Sequence, residues 1–368
     1  MPRHRSLNLS KFIDSLPESF IREYFERKSG GVVALAAYNA ESVSDILTSP
    51  GDEELKGSIR EDFTCINDIC EKVMNHLVKA VHRYGVAIND EEKREELAMR
   101  IFLHRPEAFE YAYDKFCIYN SDNKMSHHNI AADGFQITDD KLESFKSRVG
   151  EFYFNLAKGQ ECIVKTYDEE DETLILVLHG SYRRSVPAWD GPLIRTLFYR
   201  PAAEDALRFK KKTGTLSIKA PYKRDKENYI KIFTEVIVED SSQATRPDRD
   251  ATYTLEPLQN DTFSFAGNEA ISGVTLLEVR LSLRGGATPE LLIRSNNVLR
   301  TLQDGLGGGI RLDAGQLVHA KFRFKLQIDG KTRSVTFEIT PPNVTNLHKS
   351  RYADIVGAYL KENGVKLV

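Results

Sequence analysis

Apolar residues in the N-terminal section of the chain recur every three or four positions, and from about residue 150 they mostly alternate in twos. A period near 3.6 buries one stripe of a helix, whereas a period of two buries one face of a strand. The change of period predicts an α+β chain. An N-terminal helical domain is expected over 1–148, then a mostly antiparallel β-rich domain with covering helices and a C-terminal helix over 149–368. Ser15-Leu16-Pro17-Glu18 starts a helix, with Ser15 as its cap, whose stripe is Phe20, Ile21, Tyr24 and Phe25. Leu55, Ile59, Phe63, Ile66, Cys70, Val73, Leu77 and Val81 predict one long helix reaching almost to Gly85. Asp90 is the expected cap of another through Leu97, Ile101 and Leu103, with Pro106 breaking it or starting the next. The polar stretch 120–133, with His127-His128 inside it, reads as a solvated loop, and 139–149 as a helix.

Beyond residue 150 a single hairpin is specified almost completely. From His319 to Ile328 apolar and polar residues alternate, Asp329-Gly330 supplies a two-residue turn, and 331–340 returns. Pairing Ile328 with Lys331 sets Phe324 against Val335, Phe322 against Phe337, Ala320 against Ile339, Lys321 against Glu338 and Arg323 against Thr336. Leu277, Val279, Leu281 and Leu283 predict a strand's inner face, with Glu278, Arg280, Ser282 and Arg284 outward. The unbroken apolar run 174–178 suits a central strand covered on both sides. Thr213-Gly214 turns between 207–211 and 215–219, and Tyr229, Ile230, Phe233 and Ile237 share one helical face. Ser295 is the expected cap of a short helix through Val298, Leu299 and Leu302. A last helix is expected over 350–363, with Tyr352, Ile355, Val356 and Tyr359 on one side, stopped by Gly364.

Composition narrows the class of partner. The 368 residues carry a formal charge of −3, so attraction to a polyanion must come from a local patch and not from a global field. The apolar runs are too short to span a bilayer, which predicts a soluble cytoplasmic protein without a membrane partner. Four cysteines in this length do not make a disulfide scaffold, and they are expected as free thiols.

The strongest candidate chemistry is a cation-rich stretch with interleaved aromatics. Arg195, Arg200, Arg208, Lys210, Lys211, Lys212, Lys219, Lys223, Arg224, Lys226 and Lys231 face only Glu204, Asp205, Asp225 and Glu227, with Phe198, Tyr199, Tyr222 and Tyr229 among them. Cations neutralise phosphates and aromatic rings stack on bases, so the mixture suits nucleic acid. The expected contact set is Arg208, Lys210, Lys211, Lys212, Lys219, Lys223 and Arg224. Arg183-Arg184 and the outward row Lys321, Arg323 and Lys325 extend it if the strands are neighbours. The helical section is expected to dock a protein partner.

A second reading is a metal-dependent nuclease using Asp261 and Glu278, with Arg280 where restriction-type enzymes place a lysine. Other motifs are weaker. His179-Gly180-Ser181 lacks a nucleophile elbow, and Gly305-Leu306-Gly307-Gly308-Gly309 lacks the trailing Lys-Ser/Thr of a phosphate loop. Residues 168–172 read as a solvated acidic hairpin tip, and His127-His128 match no zinc spacing, so no metal or other cofactor is expected. The sequence therefore points to a non-catalytic binding or scaffold protein. Defence or mobile-element machinery is one setting that such a protein would suit.

Overall fold

The computed structural model describes residues 7–29, 35, 37–70, 75–89, 91–120, 125–130, 135–283, 289–305 and 309–367. The chain divides into two compact units, Met1–Asp122 and Asn123–Val368. It is an α+β protein, with helices concentrated in the first unit and strands in the second. Among the described residues no helix is long and apolar enough to cross a membrane.

The first unit contains α1 (Leu9–Ile13), α2 (Glu18–Ser29), α3 (Ala40–Thr48), α4 (Glu53–Ile69), α5 (His76–Arg83), α6 (Arg94–His104) and α7 (Pro106–Asn120). Phe12, Tyr24, Phe25 and Phe63 form an aromatic core, with the Tyr24 and Phe63 ring centroids 4.9 Å apart. The single long helix expected from Leu55 to Val81 is two helices. Cys70 closes α4 by donating its N–H to the carbonyls of Asn67 and Asp68, and Asn75 enters α5 with φ of 52°. The apolar period persists across the break because both helices bury the same kind of stripe. Val73 and the expected cap Asp90 lie outside the described residues; Lys93 precedes α6. Pro106 opens α7, where its missing N–H costs nothing. Ser15 does not cap α2, since its hydroxyl donates back to the Phe12 carbonyl. Cys65, Cys70, Cys117 and Cys162 are thiols outside any disulfide.

The second unit runs β1 (Met125–Asn129), α8 (Asp139–Asn155), β2 (Cys162–Asp168), β3 (Glu172–Gly180), β4 (Arg184–Asp190), β5 (Leu193–Tyr199), β6 (Ala202–Lys210), β7 (Thr215–Lys219) and α9 (Lys223–Ile232). It continues through α10 (Glu256–Gln259), β8 (Ile271–Leu283), β9 (Glu290–Arg294), α11 (Val298–Arg300), β10 (Gly315–Ile328), β11 (Lys331–Thr340), β12 (Val344–Thr345) and α12 (Ala353–Glu362). Ten strands make one antiparallel sheet in the order β2-β3-β6-β7-β1-β12-β11-β10-β8-β9. Helix α8 passes through residues 148 and 149 and belongs wholly to this unit.

Paired residues share a face of a sheet. Ile218, Ser126 and Val344 lie in one row and on one face, while Met125, Thr345 and Ile339 lie on the other. The two helical layers therefore cover opposite faces of one sheet. Phe145 and Tyr153 of α8, with Tyr229 and Ile230 of α9, pack on Ile175, Val177, Leu207 and Ile218. Val356, Tyr359 and Leu360 of α12 pack on Phe322, Phe324, Phe337 and Ile339.

The register expected for the 319–340 hairpin is the observed one, residue for residue, with Asp329 and Gly330 both at positive φ. The run 174–178 lies within β3, between β2 and β6, and Gly364 ends the terminal helix at φ of 67°. Strand β8 departs from simple alternation. Its pairing slips between Lys321 and Phe322, so Leu276 joins the Phe322 and Phe337 cluster, while Leu277 is buried outside that cluster. Asn297, and not Ser295, caps α11 by accepting from Arg300 N–H; Arg284 lies outside the described residues.

The largest departure is at His127-His128. They are not in a solvated loop but in β1, an interior strand between β7 and β12. Polar side chains are tolerated there because they bond to one another. Nδ1 of His127 is 2.8 Å from Ser217 Oγ, and His128 lies 2.6 Å from Asp250 Oδ1 and 2.9 Å from Ser126 Oγ.

Candidate functional site

The cations singled out above fall into three groups. Arg208 on β6 and Lys219 on β7 are held by carboxylates, Arg208 Nε 2.5 Å from Glu172 and Lys219 Nζ 3.0 Å from Glu204. Lys210 is 3.9 Å from Asp354, and burial lowers its pKa. Lys211 and Lys212 at the β6–β7 turn bridge to Asp168 and Asp171, at 3.0 and 2.5 Å. The acidic tip at 168–172, at the β2–β3 turn, is thus neutralised by the neighbouring basic tip. Lys223 and Arg224 are exposed at the start of α9, with Arg224 Nε 3.5 Å from Asp225.

Lys321, Arg323 and Lys325 form a third group on β10. Strands β7, β1, β12 and β11 intervene between β6 and β10, and the register puts this row on the opposite face from Arg208. Lys321 is bridged to Glu338 at 3.2 Å, Arg323 is half-buried and Lys325 is exposed.

The two carboxylates of the nuclease reading have different settings. Asp261 follows α10 in an exposed turn with φ of 54°. Glu278 is buried in β8, 2.7 Å from Arg294 and 3.7 Å from His319, and Arg294 lowers its pKa. Arg280 lies 3.8 Å from Glu290. No group of three His, Cys, Asp or Glu side chains placed to hold a cation occurs among the described residues. Of the glycine run 305–309, residues 306–308 lie outside them.

The sequence reading missed a different element. Strands β4 and β5 form their own two-stranded sheet, inserted between β3 and β6. Those two strands pair up to Gly180 and Ala202, so the inserted ribbon leaves the sheet at its end. Its register sets Trp189 against Ile194, Val186 against Leu197 and Ser185 against Phe198. Alternation places Val186, Leu193, Leu197 and Tyr199 on one face, with Trp189, Ile194 and Phe198 on the other. Both faces carry uncovered apolar side chains: Trp189 is 75% exposed, Phe198 63% and Ile194 62%. Asp190-Gly191 between two apolar runs was the available signal. Pro187 within β4 obscured it, although proline is tolerated in a ribbon with free edges.

The root of this ribbon is a densely bonded polar region. Arg200 donates to the carbonyls of Ala157 and Ser181, both at 2.8 Å. At Gly180 an added Cβ would meet the Lys158 carbonyl at 2.1 Å, so only glycine lets the two backbones approach. Lys158 is buried, 3.4 Å from Asp225 and 4.8 Å from the centre of the Tyr153 ring, with Tyr182 and Tyr222 each 5.5 Å away. Behind it His179 stacks on Tyr153 at 3.6 Å, and Asp205 accepts from the hydroxyls of Tyr153 and Tyr229 at 2.8 and 3.0 Å. Burial, followed by the Asp205 charge, raises both tyrosine pKa values.

Around this root stand exposed Tyr182, Arg183, Arg184, Tyr222, Lys223 and Arg224, and Arg195 lies further along β5. The outcome is an arm anchored at its root, with an apolar tip and a cationic, aromatic base. No protein-family model matches the chain, and no curated protein matches it either.

Proposed function

We propose that the chain is a non-catalytic binding or scaffold protein that contacts nucleic acid through the β4–β5 arm, and that its helical section serves a protein partner. The observation that carries this reading is the coincidence of uncovered Trp189 and Phe198 on an anchored ribbon with Tyr182, Tyr222, Arg183, Arg184, Lys223 and Arg224 around its root. Two strands of 7 residues each at ~3.3 Å rise make an arm of roughly 23 Å. A two-stranded ribbon fits a DNA groove, and apolar side chains at a tip wedge between base steps. Arginines and lysines at the base would meet phosphates, and the tyrosines would stack on unpaired bases. Arg208, Lys210, Lys211, Lys212 and Lys219 contribute less here than the arm, because each is bridged to a carboxylate.

Anisotropy of labelled DNA and RNA, measured from about 50 to about 200 mM salt, tests the reading. Binding is expected to weaken steeply with salt, and to weaken again in Arg183→Glu/Arg184→Glu and in Leu193→Ser/Ile194→Ser. Salt-independent or negligible binding would overturn the nucleic-acid reading. Loss of self-association or of a captured protein in the Leu193→Ser/Ile194→Ser variant, with nucleic-acid binding unchanged, would make the arm a protein-docking element instead.

A further inference from the structure

Two histidines on the other face of the sheet from α8 and α9 are buried without the bonds that burial demands. His127 of β1 and His348, in the single turn Leu347–Lys349, are each 8% exposed, with ring centroids 6.2 Å apart. Nε2 of His127 and both ring nitrogens of His348 make no hydrogen bond of acceptable geometry. Nearly all buried polar atoms in folded proteins are satisfied, and an orphan marks a place for water, an ion or a ligand.

The surroundings select among these. Arg208, Ser217 and His127 occupy one row across β6, β7 and β1, so their side chains share a face. Ser217 Oγ sits 2.8 Å from Nδ1 of His127. With the hydroxyl donating to Nδ1, the proton of the neutral ring lies on Nε2, the orphaned atom. Lys210 and Lys219 lie two residues along from Arg208 and Ser217, on the same face. The charges bearing on the rings are cationic. After burial, His348, His128, Arg208 and Lys210 hold His127 well below its ordinary pKa. Burial, then Arg208 and Lys349, lowers His348 to about 3, with the Thr345 backbone opposing them and Lys219 adding to the effect. Glu172, Glu204 and Asp354 engage Arg208, Lys219 and Lys210. A metal cation would meet two imidazoles amid positive charge and lacks a third ligand there among the described residues. A tetrahedral oxyanion would instead give each orphaned N–H an acceptor.

We propose that His127 and His348, with Arg208 beside them, form an enclosed binding site for a small oxyanion of the phosphate type. The site is separate from the β4–β5 arm and stands whether or not the arm binds nucleic acid.

Thermal unfolding of the full chain in inorganic phosphate, against chloride at matched ionic strength, tests it. The midpoint should rise saturably with phosphate in the parent. The rise should vanish in His127→Phe and in His348→Phe, which keep a ring of similar size. If either variant fails to fold, His348→Gln and Arg208→Gln replace them, read by 31P line broadening of phosphate in the presence of each protein. An oligonucleotide arm separates free phosphate from a backbone phosphate: an enclosed site leaves oligonucleotide affinity unchanged in His348→Gln. Coincident phosphate and chloride curves in the parent, or equal phosphate effects in parent and variants, would overturn the proposal and leave the orphaned nitrogens to water.

Discussion

Two hairpins of this protein make an instructive pair. In β10–β11 apolar and polar residues alternate, and the apolar face is covered by α12 through Phe322, Phe324 and Phe337. In β4–β5 apolar residues occupy both faces, and every residue of β5 is exposed. A lone two-stranded ribbon is marginally stable in water, and uncovered apolar surface of this kind marks an interaction site. The first hairpin spends its hydrophobic side chains on folding. The second holds them out, on a root braced by Arg200, Gly180 and the Lys158–Asp225 pair.

Mutation should separate the two sharply. Phe322→Ala or Phe337→Ala should cost ~3–5 kcal/mol in denaturant unfolding, since both rings are buried in one aromatic cluster. Trp189→Ala or Phe198→Ala should stay within ~0.5 kcal/mol of the parent, as exposed positions do. Equal losses at both hairpins would end the comparison. Lys158→Met should be nearly as damaging as the core changes, about 3 kcal/mol, because it leaves the fully buried Asp225 carboxylate with only the exposed Arg224, 3.5 Å away, as a cation. A stable Lys158→Met protein with an unchanged arm would show that the root is not what holds the ribbon.

A pH-dependent effect follows from the two buried imidazoles. Both are held neutral in the fold, below the ordinary value of 6.5. Once pH drops below about 6.5 the unfolded chain takes up protons that the folded chain refuses. Their stabilisation is therefore present above that pH and is lost as pH falls, for His348 towards about 3. The expected slope is ~1.4 kcal/mol per pH unit for each histidine within the window. His348→Phe should remove one histidine's share, and urea midpoints across that range would show whether it does.

What the sequence made legible follows the same division. The 319–340 hairpin and the stripe Tyr229, Ile230, Phe233 and Ile237 could be read because one-sided burial writes a period into the chain, and the run 174–178 because burial on both faces leaves it unbroken. Strand β1 could not, since Ser126, His127, His128 and Asn129 are polar and their partners Ser217, Asp250 and Asn343 are remote in sequence. The α4–α5 break left the stripe in phase and so left no mark on it. Cation density was visible, but the ion pairs that engage Arg208 and Lys219 join separate strands and emerge only from the register. The arm escaped notice because a ribbon apolar on both faces shows no alternation.

The smallest perturbation gives the most direct test of the arm. Trp189 is the single tryptophan of the chain and stands near the ribbon tip, so its emission reports on that site alone. Titration with single-stranded and duplex DNA and RNA at low salt should quench or shift that emission saturably, and added salt should reverse the change. Emission that stays constant through the titration, while anisotropy shows the nucleic acid bound, would place the contact elsewhere and contradict the account.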